Sequence, residues 1–140
     1  MRSRSKYRHA AFTLMEMMMV VVIIVLLLGF AVNKMKNSVS FAKETKARAD
    51  IQSISSMLMV YESGGSLPSS EQGIKALVER PQSEPRPANW RKLMDEVPLD
   101  PWGKEYQYMR PGKHNPSSYD LFSAGADLTV GTADDIGNWK

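Results

Sequence analysis

The sequence predicts an α+β fold in which one long N-terminal helix packs against a small antiparallel sheet. Three observations support this prediction. The segment 12–32, FTLMEMMMVVVIIVLLLGFAV, is predominantly apolar and contains one charged residue. Apolar residues then recur at helical spacing between residues 47 and 61, and two later segments resemble short strands. The chain is therefore expected to combine a helix of two unlike halves with a small β-containing body.

The apolar segment 12–32 is long enough to cross a membrane. As a helix, its 21 residues would extend about 30 Å, the thickness of the hydrocarbon core of a bilayer. Basic residues precede it, so the positive-inside rule places residues 1–11 in the cytoplasm and the later chain in the periplasm. A secretory signal peptide is the alternative. The apolar run is longer than in such peptides, however, and no small-residue cleavage site follows it.

The net charge of +3 comes from a cluster at the N-terminus. Arg2, Arg4, Lys6 and Arg8 lie within the first eight residues. Without these four bases and Glu16 the remaining chain is formally neutral. Because the positive charge is terminal and not spread over a folded face, nucleic-acid binding is not expected. The chain contains no cysteine, so metal binding or burial against other subunits remain as ways to stabilise a small domain.

The second half of the predicted helix, 33–63, is amphipathic. Its apolar positions form one helical stripe, which we expect to face the core of a domain and not a partner. The stripe consists of Ala47, Ile51, Ile54, Leu58 and Tyr61.

The remaining segment, 64–140, is predicted to form the globular body. It begins with glycines that end the long helix and continues with a short helix at about 70–80. Segments 106–109 and 118–123 are predicted to pair as an antiparallel hairpin, joined by a third short strand.

Glu16 is the one charge inside the apolar segment. A carboxylate at the centre of a membrane helix costs roughly 2.5–3.5 kcal/mol, and such residues are usually kept for a partner. A solvated position at the membrane interface is the alternative. Its sequence context, Phe12-Thr13-Leu14-Met15-Glu16 after a basic leader ending in Ala10-Ala11, resembles the class III signal of type IV pilins and pseudopilins.

That resemblance implies how the N-terminus is processed. Prepilin peptidase would cut between Ala11 and Phe12, removing the leader 1–11 on the cytoplasmic side, and the new N-terminal Phe12 would be N-methylated. Glu16 would then pair with the Phe12 amine of a neighbouring subunit during assembly, since a buried carboxylate needs a cation. The family usually has Gly before the cut, where this chain has the next smallest residue, Ala11.

Three later phrases resemble the body of the major pseudopilins (core protein G) of type II secretion systems: LPSSEQGIKALVERP, VPLDPWGKEYQY and YDLFSAGADLTVGTADDIGNW. The resemblance implies a pilin-like fold and a structural subunit, not an enzyme, that polymerises into a periplasmic pseudopilus. The implied partners are further copies of the chain, minor pseudopilins, the prepilin peptidase, and an inner-membrane assembly platform with its ATPase.

Two other classes of function remain as alternatives. An adhesive or DNA-uptake pilin is the first; such pilins usually close a C-terminal loop with a disulfide, which this chain cannot form. A membrane-anchored periplasmic enzyme is the second. It would need a nucleophile–base pair or an open catalytic metal site, and neither His9 nor His114 lies in a sequence pattern that suggests one.

The C-terminal segment SAGADLTVGTADDIGNW, 123–139, carries three carboxylates among glycines and no basic residue. A solvated acidic turn would explain it, and so would Ca²⁺, which takes six to eight oxygen ligands. The major pseudopilins that this segment resembles bind one calcium ion here. The resemblance implies a structural Ca²⁺ with Asp127, Asp135 and Asp134 as side-chain ligands, and the backbone carbonyls of Ala124 and Thr129 as further ligands.

Overall fold

The structure is a computed structural model that describes residues 13–139, without the side chains of 31–37. The predicted leader 1–11, the predicted cleavage site and Phe12, the predicted site of N-methylation, lie outside the described residues. The chain divides into two compact units, with the boundary between Val39 and Ser40.

One helix, α1, spans Leu14–Glu62, 49 residues. It ends within one residue of the predicted end at Tyr61, where Gly64 and Gly65 follow. The Gly64 and Gly65 amides donate to the carbonyls of Tyr61 and Glu62 at 3.0 and 2.9 Å, and Gly65 has φ +156°. These bonds occupy helix-terminal carbonyls and turn the chain back toward the second half of the helix.

The predicted apolar stripe of α1 lies in the core of the second unit, as expected. All five of its residues are at most 4% exposed. Side chains from the later chain complete this core: Leu67, Ile74, Ala76, Leu77, Tyr106, Leu121 and Ile136. The stripe is therefore the surface on which the body folds.

A three-stranded antiparallel sheet covers that surface. It consists of β1 (Gln107–Met109), β2 (Asp120–Ser123) and β3 (Ile136–Gly137), in the order β1-β2-β3. Tyr108 pairs with Leu121, and Ser123 pairs with Ile136. The predicted hairpin and third strand are both present, and the central strand β2 is buried along its whole length.

The short helix predicted at about 70–80 is wrong in length. Only Ile74–Leu77 is helical, and it is one turn of 3-10 helix. Gly73 precedes that turn with φ +53° and ψ −156°, a conformation that no helix continues through. The Gln72 amide group also donates to the Ser83 and Pro85 carbonyls at 2.7 and 3.2 Å, which fastens the segment to the following loop.

Candidate functional site: the start of α1 and the C-terminal acidic loop

The first turn of α1 is closed by a reciprocal pair of hydrogen bonds. The Glu16 amide donates to Thr13 Oγ1 at 3.2 Å, and the Thr13 amide donates to Glu16 Oε2 at 3.4 Å. This is a capping box, in which two otherwise unpaired amides of a helix N-terminus are satisfied. Sequence reasoning gave Glu16 only a role between subunits and missed this local one. The Ser/Thr-x-x-Glu spacing of Thr13 and Glu16 was the signal that could have found it.

The following turns of α1 present an unbroken apolar surface. Every large apolar side chain from Leu14 to Phe30 is exposed, between 44% for Val20 and 83% for Met15. Soluble monomers rarely expose contiguous apolar patches of more than a few hundred Å², and larger ones mark contact with lipid or protein. Within the part of the chain that the structure describes, no helix meets the length and hydropathy expected of a membrane span.

The acidic loop, defined here as residues 124–135, joins two paired strands. Because Ser123 and Ile136 are partners in the sheet, the two ends of the loop begin side by side. Gly125 has φ +69°, and a Cβ at this position would collide with the Asp134 carbonyl oxygen. Glycine is thus required at 125, where the first turn of the loop meets its last.

Two of the three predicted side-chain ligands organise the loop from within. Asp127 Oδ1 accepts the Thr129 amide at 2.8 Å, and Asp135 Oδ2 accepts the Gly131 amide at 2.8 Å. Asp135 is 6% exposed, whereas Asp127 and Asp134 are exposed. The Thr129 carbonyl, a predicted backbone ligand, accepts the Thr132 hydroxyl at 3.2 Å. These bonds fold the loop locally and leave part of each oxygen's bonding capacity for another partner.

The loop contains ligand atoms of the kind that Ca²⁺ prefers, namely the oxygens of carboxylates and backbone carbonyls. The described residues nevertheless contain no group of three or more acidic, histidine or cysteine side chains placed to hold one metal ion. These oxygen ligands fit calcium. The close approach of Gly125 to Asp134 brings the first and last residues of the loop together. A bound ion would have to draw on backbone carbonyls as well as on Asp127 and Asp135.

A basic residue lies closer to the acidic loop than the sequence suggested. Arg48 and Glu44 of α1 line the same groove as Asp134, Asp135 and Trp102. More than 80 residues separate Arg48 from Asp134 and Asp135 in the sequence, so only the fold reveals this neighbourhood.

Asp100 is a buried carboxylate that sequence reasoning did not single out. It is 4% exposed, and its Oδ1 accepts the amides of Trp102 and Lys104, both at 2.9 Å. Its Oδ2 accepts the Ser123 hydroxyl at 2.5 Å. Ser123 Oγ in turn accepts the Gly125 amide at 3.1 Å. The turn at 100–104 is thereby bonded to the first residues of the acidic loop.

Asp120 is the second such carboxylate, 2% exposed. It accepts the amides of His114 and Asn115 at 2.8 and 2.9 Å and contacts His114 Nδ1 at 3.1 Å. Burial alone would raise the pKa of Asp120. The hydrogen bonds favour the charged form and outweigh burial, so its pKa lies below the usual 3.8. The His114 ring stacks on Trp139, with centroids 3.9 Å apart.

Comparison with known protein families identifies the family of this chain. The model of the family "Type II secretion system (T2SS), protein G" matches residues 34–139, and a model of the prokaryotic N-terminal methylation motif matches residues 6–32. The chain belongs to the type II secretion system protein G family. Its protein G body thus includes both the acidic loop and Asp100, while its methylation motif includes Ala11, Phe12 and Glu16.

Relatives in this family match over nearly the whole chain. Core protein G of Pseudomonas aeruginosa is 41% identical over 94% of this chain and 96% of its own. Core protein G of Pectobacterium carotovorum is 42% identical over 97% of this chain and 88% of its own. The crystal structure of the major pseudopilin of the enterohaemorrhagic Escherichia coli type 2 secretion system matches with a TM-score of 0.67. That match has 38% identity and covers 75% of this chain and 88% of the other. The pilin-like α+β fold is confirmed.

Proposed function

We propose that the protein is the major pseudopilin of a type II secretion system, a structural subunit that polymerises into a periplasmic pseudopilus and so drives protein export across the outer membrane. The observation that carries this proposal is the exposed apolar surface of α1 at 14–30, joined in one chain to a protein G body. A surface of this kind is stable only where lipid or neighbouring subunits cover it. A pseudopilin needs both environments, first as a membrane protein and then as part of a fibre.

The N-terminus would carry the protein from one environment to the other. We assign 1–11 to a cytoplasmic leader removed by the prepilin peptidase, and 12–32 to a single-pass helix in the inner membrane with the body in the periplasm. The methylation-motif match over 6–32 supports this assignment. Extraction by an assembly platform and its ATPase would then move the helix from lipid into the fibre, beside other copies and minor pseudopilins.

Glu16 would set the register between subunits. In a fibre its carboxylate would be removed from water, which is tolerable only beside a cation, and the Phe12 amine of the next subunit supplies one. The capping box with Thr13 holds the Glu16 side chain at the first turn of α1. Cleavage before Phe12 would create a chain end one residue before Thr13 in the sequence. The same side chain would therefore begin the helix and specify its neighbour.

The body would have a structural task and no catalytic one. This proposal is supported by its likeness to pseudopilins and by the state of His114, whose ring is engaged by Asp120 and Trp139. We further propose that the acidic loop binds one structural Ca²⁺ through Asp127 and Asp135, with Asp134 and the carbonyls of Ala124 and Thr129 as further donors. The ion would stabilise the folded body by mass action.

Mass spectrometry of the mature protein tests the proposed function. We expect the purified chain to begin at Phe12 with one added methyl group. The matched variant Ala11→Gly, which restores the residue usual in the family, should be processed at least as fully. A chain that keeps Met1 in both proteins would contradict the proposal. A chain cleaved only in the variant would place the failure at Ala11.

A further inference from the structure

We infer that Asp100 and Ser123 are positioning residues for the acidic loop: the buried Asp100 carboxylate, acting through the Ser123 hydroxyl, fixes the Gly125 amide and with it the start of the loop. This inference rests in part on the proposed calcium site, because it names what prepares that site for the ion. Neither residue is offered as a ligand.

The direction of each hydrogen bond follows from the chemistry of the groups. The Asp100 carboxylate acts as an acceptor: Oδ1 accepts the Trp102 and Lys104 amides, and Oδ2 accepts the proton of the Ser123 hydroxyl. A hydroxyl has one proton and two lone pairs, so Ser123 Oγ can then accept the Gly125 amide at 3.1 Å. A hydrogen bond to a charged group is about twice as strong as a neutral one, which favours this single arrangement.

Backbone hydrogen bonds hold Asp100 in place. The Asp100 amide donates to the Lys104 carbonyl at 2.7 Å, and the Gly103 amide donates to the Asp100 carbonyl at 3.0 Å. Leu99 and Glu105 on either side form an antiparallel bridge. The carboxylate and Ser123 are both almost fully buried, at 4% and 0% exposed, so water does not compete for these bonds.

Gly125 connects the Ser123 hydrogen bond with the proposed calcium ligands. This residue meets the Asp134 carbonyl so closely that no side chain fits, and Asp127 follows two residues later. A displaced Gly125 would therefore alter the spacing between the two ends of the loop. A loop that holds the binding conformation for only part of the time binds its ion more weakly by that fraction.

The experiment uses the full chain in detergent micelles and compares Ser123→Ala with Asp120→Asn. Both substitutions disturb a buried carboxylate network and should lower stability. Within the described part of the chain, only the network of Asp100 and Ser123 is bonded to the loop. We expect Ser123→Ala to weaken Ca²⁺ affinity by about tenfold in calorimetric titration, because it removes both the bond to the Asp100 carboxylate and the acceptor of the Gly125 amide. Asp120→Asn should bind Ca²⁺ as the wild type does.

Two further measurements keep the inference open to refutation. If Ser123→Ala does not fold, Asp100→Asn serves instead. The single acceptor oxygen of Asn cannot take both the backbone amides and the Ser123 proton, so the bond that orients the Ser123 hydroxyl is lost and the same selective loss is expected. Hydrogen exchange of the Gly125 amide, measured in EDTA, needs no calcium: exchange should accelerate in Ser123→Ala and stay slow in Asp120→Asn.

The outcomes separate the two proposals. A wild-type chain without calcium binding would overturn the proposed metal site, while the Gly125 exchange rates would still decide the positioning role. Equal Ca²⁺ affinities in Ser123→Ala and wild type, or equal Gly125 exchange in the two, would overturn the positioning role. An equal loss of affinity in Ser123→Ala and Asp120→Asn would also overturn it, because general destabilisation would then explain both.

Discussion

The two halves of α1 place similar apolar side chains in opposite surroundings. From Leu14 to Phe30 every large apolar side chain is at least 44% exposed, whereas the stripe from Ala47 to Tyr61 is at most 4% exposed. The second half is stabilised by the body that folds on it. Among the described residues of its own unit, none buries the apolar side chains of the first half. The stability of this half therefore depends on what surrounds the molecule. The comparison shows that one helix can form a domain core at one end and present an exposed apolar surface at the other.

The largest expected effect comes from making the same substitution in each half. Leu58 is 0% exposed and Leu27 is 62% exposed. Leu58→Ala should lower the free energy of unfolding of the body by about 2–5 kcal/mol, because it removes transfer energy and leaves a cavity. Leu27→Ala should change it by less than about 0.5 kcal/mol. Denaturant unfolding of both variants in micelles, followed by tryptophan fluorescence, gives the measurement, and similar losses in the two would refute the division.

Calcium removal should cause the next largest loss of stability, and this loss should be confined to the body. An ion present at a hundred times its dissociation constant would stabilise the fold by about 2.7 kcal/mol. EDTA should therefore lower the melting temperature, and added Ca²⁺ should restore it. Asp127→Asn should abolish the difference between the two conditions. Asp95→Asn, at an exposed carboxylate paired with Lys92 outside the loop, is the matched control and should preserve it. A melting temperature indifferent to EDTA would count against the site.

A smaller effect concerns pH. The pKa of Asp120 is lower in the folded protein than its usual 3.8, so the folded state favours the charged carboxylate. Its stabilising contribution is present above the unfolded pKa, and is lost as the pH falls through the lower folded value. Melting temperatures between pH 5 and about pH 2 should fall less steeply in Asp120→Asn than in the wild type. If the melting temperatures of the two proteins fall in parallel with pH, Asp120 does not contribute to the pH dependence of stability.

Elements with strong periodicity could be predicted from the sequence. The stripe of α1, its end near Tyr61 and the β1–β2 hairpin follow from spacing and glycine positions, and the structure confirms them. The short helix at 70–80 was wrong because Gly73 takes a positive φ that spacing does not encode. The hydrogen bonds of the first turn of α1 could have been predicted from the sequence, because Thr13 and Glu16 have the spacing of a capping box.

The buried carboxylates could not be predicted in the same way. Asp100 lies in a proline- and glycine-rich turn and Asp120 at the start of a strand, where an acidic residue is usually a solvated one. What makes them special is contact with Ser123 and with His114, and those contacts depend on how the strands pair. The sequence shows the acidic residues of the loop as a group. The approach of Gly125 to Asp134 and the position of Arg48 beside the loop depend on the fold and could not be predicted.

The central claim is that the first half of α1 is an assembly element whose register depends on the charge of Glu16. Its most direct test is fibre assembly, scored by electron microscopy, in cells producing Glu16→Gln, Glu16→Ala or Thr13→Ala. Glutamine keeps the capping box and loses the charge, whereas Thr13→Ala loses about 1 kcal/mol of capping and keeps the charge. All variants should enter the membrane fraction. The account predicts that both Glu16 variants fail to form fibres and that Thr13→Ala forms them; normal fibres from Glu16→Gln would contradict it.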